Sequence, residues 1–164
     1  MTAWEFQQLQ TIAESNKWHR FISMQNYHNL LYREEEREMI PFCNSTGVGI
    51  IPWSPIARGI LARPFDSRST IREKTDSFLK MIRNWETEAD KVIVERVQEV
   101  ARKKGISMAT LATAWSLSKG FCPILGMNSL ERIDEACASL GVTITDEESR
   151  YLQEAYIAKP MARY

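Results

Sequence analysis

What this chain lacks narrows its reading first. It has no net charge, because 21 basic side chains stand against 21 acidic ones. A neutral balance gives no support for nucleic acid or an acidic membrane surface as the main partner. Its three cysteines, Cys43, Cys122 and Cys137, are an odd number without CxxC spacing. That argues against a disulfide framework or a zinc site and leaves them as reduced packing residues. The two histidines, His19 and His28, are not spaced as metal ligands and complete no Ser–His–Asp or Cys–His set. No metal site is expected, and both read as surface or packing residues. No apolar run approaches the length of a membrane span, and the amino terminus carries no signal peptide, so the expected compartment is the cytoplasm. Internal repeats and low-complexity tracts are missing as well. What remains is ordinary soluble composition, 44% hydrophobic and 26% charged, in 164 residues, enough for one domain with a real core.

The patterning that is present alternates between helix and strand. Residues 2–16 place Trp4, Leu9, Ile12 and Ala13 at helical spacing, with Thr2 as cap and Glu5 three residues on. Residues 21–25 read as a short strand, 27–32 as a mixed aromatic and polar loop, and 34–43 as a helix whose first acids form a solvated start. Turn residues 44–47 close it, and the apolar run 48–53 follows as a strand buried on both faces. Residues 59–87 break the rhythm. Arg63, Arg68, Arg72, Lys74, Lys80 and Arg83 make this stretch basic in a neutral chain, which marks a long functional loop. Helices are expected again over 88–104, with Val92, Val94, Val97, Val100 and Ala101 apolar, and over 107–118 behind Ser107. A third buried strand spans 121–126, followed by helices over 130–139 and 146–156, the last boxed by Thr145 and Glu148. Helix and strand alternating through short connections is the rhythm of parallel α/β packing.

Two constellations carry chemistry, and each has a structural alternative. In the first, a strand ends at Gly126 and Asn128 or Ser129 caps the helix behind it. The free N–H groups and dipole of that helix make an anion site, and the Arg132 fork in its first turn suits a phosphate. Glu135, one turn on, suits an amino group or a ribose. The alternative is a capped helix with a solvated Arg–Glu pair. In the second, Trp53 ends a strand as a flat surface for a heterocycle, and Gln25 ends the preceding one with donors and an acceptor for a carboxamide. The alternative is Trp53 filling the core and Gln25 capping the sheet.

Taken together, three ordered blocks carry a resemblance. They are Ser23-Met24-Gln25-Asn26-Tyr27-His28-Asn29-Leu30-Leu31-Tyr32-Arg33, then Ile51-Pro52-Trp53-Ser54-Pro55-Ile56-Ala57-Arg58-Gly59, then Pro123-Ile124-Leu125-Gly126 with Arg132 and Glu135 behind it. They resemble the aldo-keto reductase superfamily, on the side of fungal aryl-alcohol dehydrogenases and potassium-channel β-subunits, over nearly the whole chain. The resemblance implies a (β/α)8 barrel that binds NADP(H) at the carboxyl ends of its strands and reduces aldehydes and ketones. It implies that Gln25 contacts the nicotinamide carboxamide and Trp53 stacks on the ring. Ser54, Pro55, Ile56, Ala57 and Arg58 would line the pyrophosphate, with Arg72 against the phosphates. Gly126, Asn128, Arg132 and Glu135 would hold the 2′-phosphate and adenine, while Ala136 stands where the channel-subunit branch has asparagine.

The same resemblance implies a shortfall. A whole (β/α)8 barrel takes roughly 250 residues, and three strands are recognisable here. The family's tyrosine, lysine, aspartate and histidine belong to its first half, so no catalytic residue is assigned in this chain. Met1 looks like an internal methionine, and the fold expected is a partial (β/α)8 barrel, strands six to eight with their helices. Tyr27 and Tyr32 are placed in a loop near the substrate mouth with no lysine beside them. Three functions follow: a reductase of a small-molecule carbonyl whose activity needs the other half, a non-catalytic nucleotide-binding or interaction module, or a non-functional remnant. Self-association or a complementing half-barrel is the expected partner, because buried parallel strands at a cut expose apolar faces.

Overall fold

Parallel strands require crossovers, and here helices supply them. The computed structural model describes residues 1–67, 75–77, 79–80 and 84–161. Helix α1 (Ala3–Ser15) leads to β1 (Ser23–Met24), and α2 (Met39–Thr46) leads to β2 (Gly49–Ile50), which pairs parallel with β1 as Ser23↔Gly49 and Met24↔Ile50. After α3 (Glu88–Lys104) and α4 (Met108–Ser118), the chain returns beside β2. The N–H of Cys122 donates to the Ile50 carbonyl at 3.0 Å and that of Ile124 to the Pro52 carbonyl at 2.7 Å. Parallel bridges join Trp53 to Tyr27 on one side and to Ile124 on the other. Helices α5 (Leu130–Ala138) and α6 (Asp146–Gln153) complete the order. Two short parallel strands and a third segment bridged to them at Ile124, with crossover helices, form a partial α/β barrel.

Register decides which face is dry. Met24 and Ile50 are partners and point the same way, into a cluster with Phe6, Ile40, Cys43 and Phe121. Gln25 falls on the opposite face and is exposed. The larger cluster joins the strand ends to the later helices through Tyr27, Leu61, Val94, Leu111, Trp115 and Leu152. Caps at Thr2, Ser107, Ser129 and Thr145 fall where the sequence places them, and Thr87 with Asp90 forms a further box at the start of α3.

Several expectations are corrected. The helix expected over 34–43 begins as a single 3-10 turn at Glu34–Glu36, and α2 runs on through Thr46 to the left-handed Gly47. Pro41 sits in the first turn of α2, where its missing N–H costs nothing. The strand runs 48–53 and 121–126 shrink to two residues and a bridge, because a ladder counts only where a neighbour supplies partners. The last helix stops at Gln153, and the first residues of the expected 59–87 loop belong to a 3-10 segment, Ala57–Ala62. Arg68, Arg72, Lys74 and Arg83 lie outside the described residues. Of the cysteines, Cys43 alone packs, while Cys122 and Cys137 are exposed. In α1 the apolar stripe Trp4, Leu9 and Ile12 faces solvent, and Phe6, Gln10 and Ala13 are inside. In α3 Ile93 is buried and Val92 is not.

The acids at 34–36 are not a solvated start. Glu34 is buried, and its Oε1 accepts the Tyr156 hydroxyl and the Lys159 N–H, both at 2.7 Å. The Lys159 ammonium continues to Asp90 of α3 at 2.7 Å. Glu36 accepts from Arg33 and from the Nε2 of His28 at 2.9 Å, while the His28 ring stacks on Trp115. These two networks fasten the 33–37 segment to the end of the chain and to α4.

Candidate functional site

The site begins where the backbone leaves β2. The N–H of Trp53 donates to the Asn26 carbonyl at 2.8 Å, and the Asn29 amide donates to the Ser54 carbonyl at 3.1 Å. Ser54, Ala57, Arg58 and Gly59 all have positive φ, at 56°, 48°, 54° and 100°. For the three with a Cβ this is a strained conformation costing about 1–3 kcal/mol each, held only where the surroundings over-determine it. Here Ala57 is fully buried and its N–H bonds to the Ser54 carbonyl at 2.9 Å. Gly59 is required: a Cβ there would meet the Arg63 guanidinium at 3.2 Å, on top of the positive φ. Strain concentrated at a strand's carboxyl end is the usual mark of a functional loop.

Opposite this turn stands the amino end of α5. The Ser129 hydroxyl accepts the Arg132 N–H at 3.4 Å, and the Arg132 guanidinium donates to the Asn128 side chain at 2.8 Å. Between turn and helix lies a cleft of about 730 Å³ that brings together Ile56, Arg58, Gly126, Asn128, Arg132 and Glu135. A smaller recess of about 230 Å³ shares Ile56, Arg58 and Gly126 with it and adds Trp53, Ser54 and Pro55. The two constellations of the sequence are therefore two ends of one depression. Ala136 lies in its wall, as expected from its place on the helix.

Two expected residues line neither cavity. Ala57 lines neither cavity, because its left-handed backbone turns the methyl into the core. Gln25 lines neither cavity and stands exposed on the open face of the sheet. Arg72 lies outside the described residues. Two expected mouth residues, Tyr27 and Tyr32, are buried, Tyr27 under the Trp53 ring at 4.5 Å between centroids. Burial pushes the Tyr27 phenol well above its ordinary range, which removes it further from acid catalysis at neutral pH. Trp53 is partly buried against that core and also forms the recess wall, so stacking surface and packing coincide in one ring.

The structure adds residues that the sequence reading passed over. Asp76, Thr110 and Thr113 line the main cleft, together with Arg63 of the basic stretch already marked in the sequence. Asp76 reaches Arg58 across eighteen positions, its Oδ2 accepting from Nε at 2.9 Å and Nη2 at 2.7 Å. Its other oxygen accepts the Leu79 N–H at 3.0 Å, a capping pattern that was readable in Asp76-Ser77 before an apolar residue. Thr110 and Thr113 are three apart on α4, and nothing in the sequence distinguished them from core threonines.

The donor set suits a phosphate-bearing nucleotide: guanidinium forks at Arg58 and Arg132, a capped helix start, an amide at Asn128 and an acceptor at Glu135. Fold and site together describe a barrel protein with a cation-lined cleft at the carboxyl ends of its parallel strands.

The Aldo/keto reductase family model matches residues 1–157, and the chain belongs to that family. It is 61% identical over 161 residues to a versiconal hemiacetal acetate reductase of Aspergillus parasiticus, covering 97% of this chain and 47% of the relative. It is 53% identical over 163 residues to a putative aryl-alcohol dehydrogenase of Schizosaccharomyces pombe, covering 98% and 49%. Among solved structures, the apo form of Gox0644 superposes with a TM-score of 0.66 at 13% identity, over 96% of this chain and 46% of that one, a likeness of fold. The chain spans about half the length of the curated relatives it matches.

Proposed function

We propose that this chain is the cofactor-binding portion of an NADP(H)-dependent aldo-keto reductase that reduces an aldehyde or ketone to an alcohol in the cytoplasm. The observation that carries the reading is the single cleft joining Arg58 at one end of its wall to Asn128, Arg132 and Glu135 at the other. Arg58 and the backbone of Ser54, Pro55 and Ile56 would hold the pyrophosphate, Arg132 and Asn128 a 2′-phosphate, Glu135 the adenine side, and Trp53 the nicotinamide. When bound, NADPH supplies a hydride to the carbonyl carbon. The chain's own contribution is to bind and orient, because no residue described here stands ready to protonate the developing alkoxide. Alone, the 164 residues bind cofactor without turning over substrate. One relative is named for versiconal hemiacetal acetate and another for aryl alcohols, and an aryl aldehyde or a secondary-metabolite carbonyl is the substrate class we propose.

The test is a fluorescence titration with NADPH and NADH. Arg132→Ala removes a charge-assisted contact worth about 1.5–3 kcal/mol, so NADPH affinity is expected to fall about 10- to 100-fold with NADH affinity unchanged. If both cofactors bind equally well and the substitution changes nothing, the 2′-phosphate assignment fails.

A second reading, a non-catalytic nucleotide-binding or interaction module, is favoured by two exposed apolar edges. One carries Trp4, Ile12, Phe21 and Ile22, the last 84% exposed; the other carries Ile124, Met127, Ile133 and Leu130, the last 75% exposed. Among the described residues, no further strand pairs with the outer side of β1 or of the segment at Ile124. We propose that they are covered by the remaining strand–helix units of a barrel or by a second copy. Light scattering should show association that Ile22→Lys together with Leu130→Glu abolishes while helix content persists. A monodisperse monomer of the unaltered chain would sink this idea.

A further inference from the structure

Arg58 is already in use. It sits in the left-handed turn after β2, half-buried, and donates twice to Asp76 Oδ2, whose own side chain is 13% exposed. Both residues line the main cleft beside Gly126 and the Asn128–Arg132 pair. The pair therefore lies within the site, not beneath it. An anion entering near Arg58 meets a guanidinium whose Nε and Nη2 are engaged by a carboxylate, the same fork that binds a phosphate.

We propose that Asp76 is a specificity-determining residue of this cleft, an internal counter-anion that selects for ligands carrying adjacent phosphate charges. The inference rests on the NADP(H) reading. A single negative group arriving at Arg58 exchanges one charge-assisted pair for another and gains little. A ligand with two linked phosphates engages Arg58 and, through its second group, the remaining cations and helix start of the cleft, so it outcompetes the carboxylate. Asp76 is fixed in this role by its second oxygen, which accepts the N–H of the buried Leu79. Because one oxygen serves the Leu79 N–H and the other serves Arg58, the charge can be removed without removing that bond. Asparagine retains an acceptor for the Leu79 N–H and loses the competition for the guanidinium.

The experiment is calorimetric titration of the full chain with NADPH, inorganic pyrophosphate and inorganic phosphate at low salt, for the unaltered protein, Asp76→Asn, Arg58→Met and the double variant. Thermal melts check that each remains folded. Asp76→Asn is expected to tighten NADPH and pyrophosphate about tenfold and to raise phosphate affinity by a larger factor, so that the preference for pyrophosphate narrows. In the Arg58→Met background the same change should have a much smaller effect, a coupling that a merely structural role for Asp76 would not produce. If the unaltered chain binds NADPH and Asp76→Asn binds it equally or more weakly, the inference is overturned and the cofactor reading stands. If no variant binds NADPH or pyrophosphate, the cofactor reading fails and takes this inference with it.

Discussion

Lys159→Met is expected to destabilise the protein by about 3–5 kcal/mol, the loss typical of breaking a buried ion pair. The Lys159 side chain is 6% exposed and Asp90 2%, and their contact is 2.7 Å. Two charges this dry cost much to desolvate, and their mutual attraction offsets that cost only while both are present. Removing the ammonium leaves Asp90 buried without its countercharge and, among the described residues, with the Thr87 N–H and hydroxyl as its remaining partners. The Lys159 N–H bond to Glu34 is a backbone bond and survives the substitution only if the tail keeps its place. Adding Asp90→Asn should restore a large part of the loss, since the amide keeps an acceptor for the Thr87 N–H and sheds the charge. Urea unfolding with an unchanged m-value reads both variants. A loss below about 1 kcal/mol in Lys159→Met would mean that the pair is open to water, against the burial described.

Acid is the second lever, acting through His28 and Glu36. Burial lowers the His28 imidazole below its ordinary 6.5, against the opposing pull of Glu36. Burial would raise the Glu36 carboxyl, yet hydrogen bonds from His28 and Arg33, with the charge of Arg33, outweigh it and hold the carboxyl at about 2. Both folded values lie below the unfolded ones, so the unfolded chain binds more protons as pH falls and stability is lost in the acid direction. The His28 contribution is complete above pH 6.5 and erodes below it. The Glu36 contribution is complete above 4.5 and erodes down to about 2. Glu36 is partly solvated, so its share is discounted to roughly 1–2 kcal/mol. Thermal melts from pH 7 to pH 3 should show a decline beginning near 6.5, and Glu36→Gln should flatten its lower part below 4.5. Parallel curves for the two proteins below pH 4.5 would contradict this coupling.

The legible parts of the molecule were those set by neighbours in sequence. Caps at Thr2, Ser107, Ser129 and Thr145 depend on a side chain reaching an N–H two or three residues away, so the local pattern suffices. The strand at Gly49–Ile50 and the turn after Trp53 were marked by apolar content ending in Ser-Pro. The order of helices and strands, and with it parallel α/β packing, followed from that punctuation, while the partial barrel was implied by the resemblance that the three blocks carry. Local pattern failed where packing chose the face. In α1 the apolar stripe Trp4–Ile12 points outward, since helical spacing locates a stripe without saying what lies against it. Glu34 looked solvated because Tyr156 and Lys159, which donate to it, are more than 120 positions away.

The cleft divides in the same way. The sequence by itself determined two donor groups at two strand ends, the Trp53–Arg58 turn and the Asn128–Glu135 helix start. It did so because each is a contiguous block whose spacing is intrinsic. The tertiary structure decided that they share one depression, since the parallel bridge of Trp53 to Ile124 puts the two strand ends side by side. It also decided that Gln25 stands apart and that Ala57 turns inward, through register in one case and left-handed backbone in the other. Above all it decided that Arg58 is paired, because an ion pair between residues 18 apart has no period and leaves no local trace. Contacts of that kind exist only once the chain has folded back on itself.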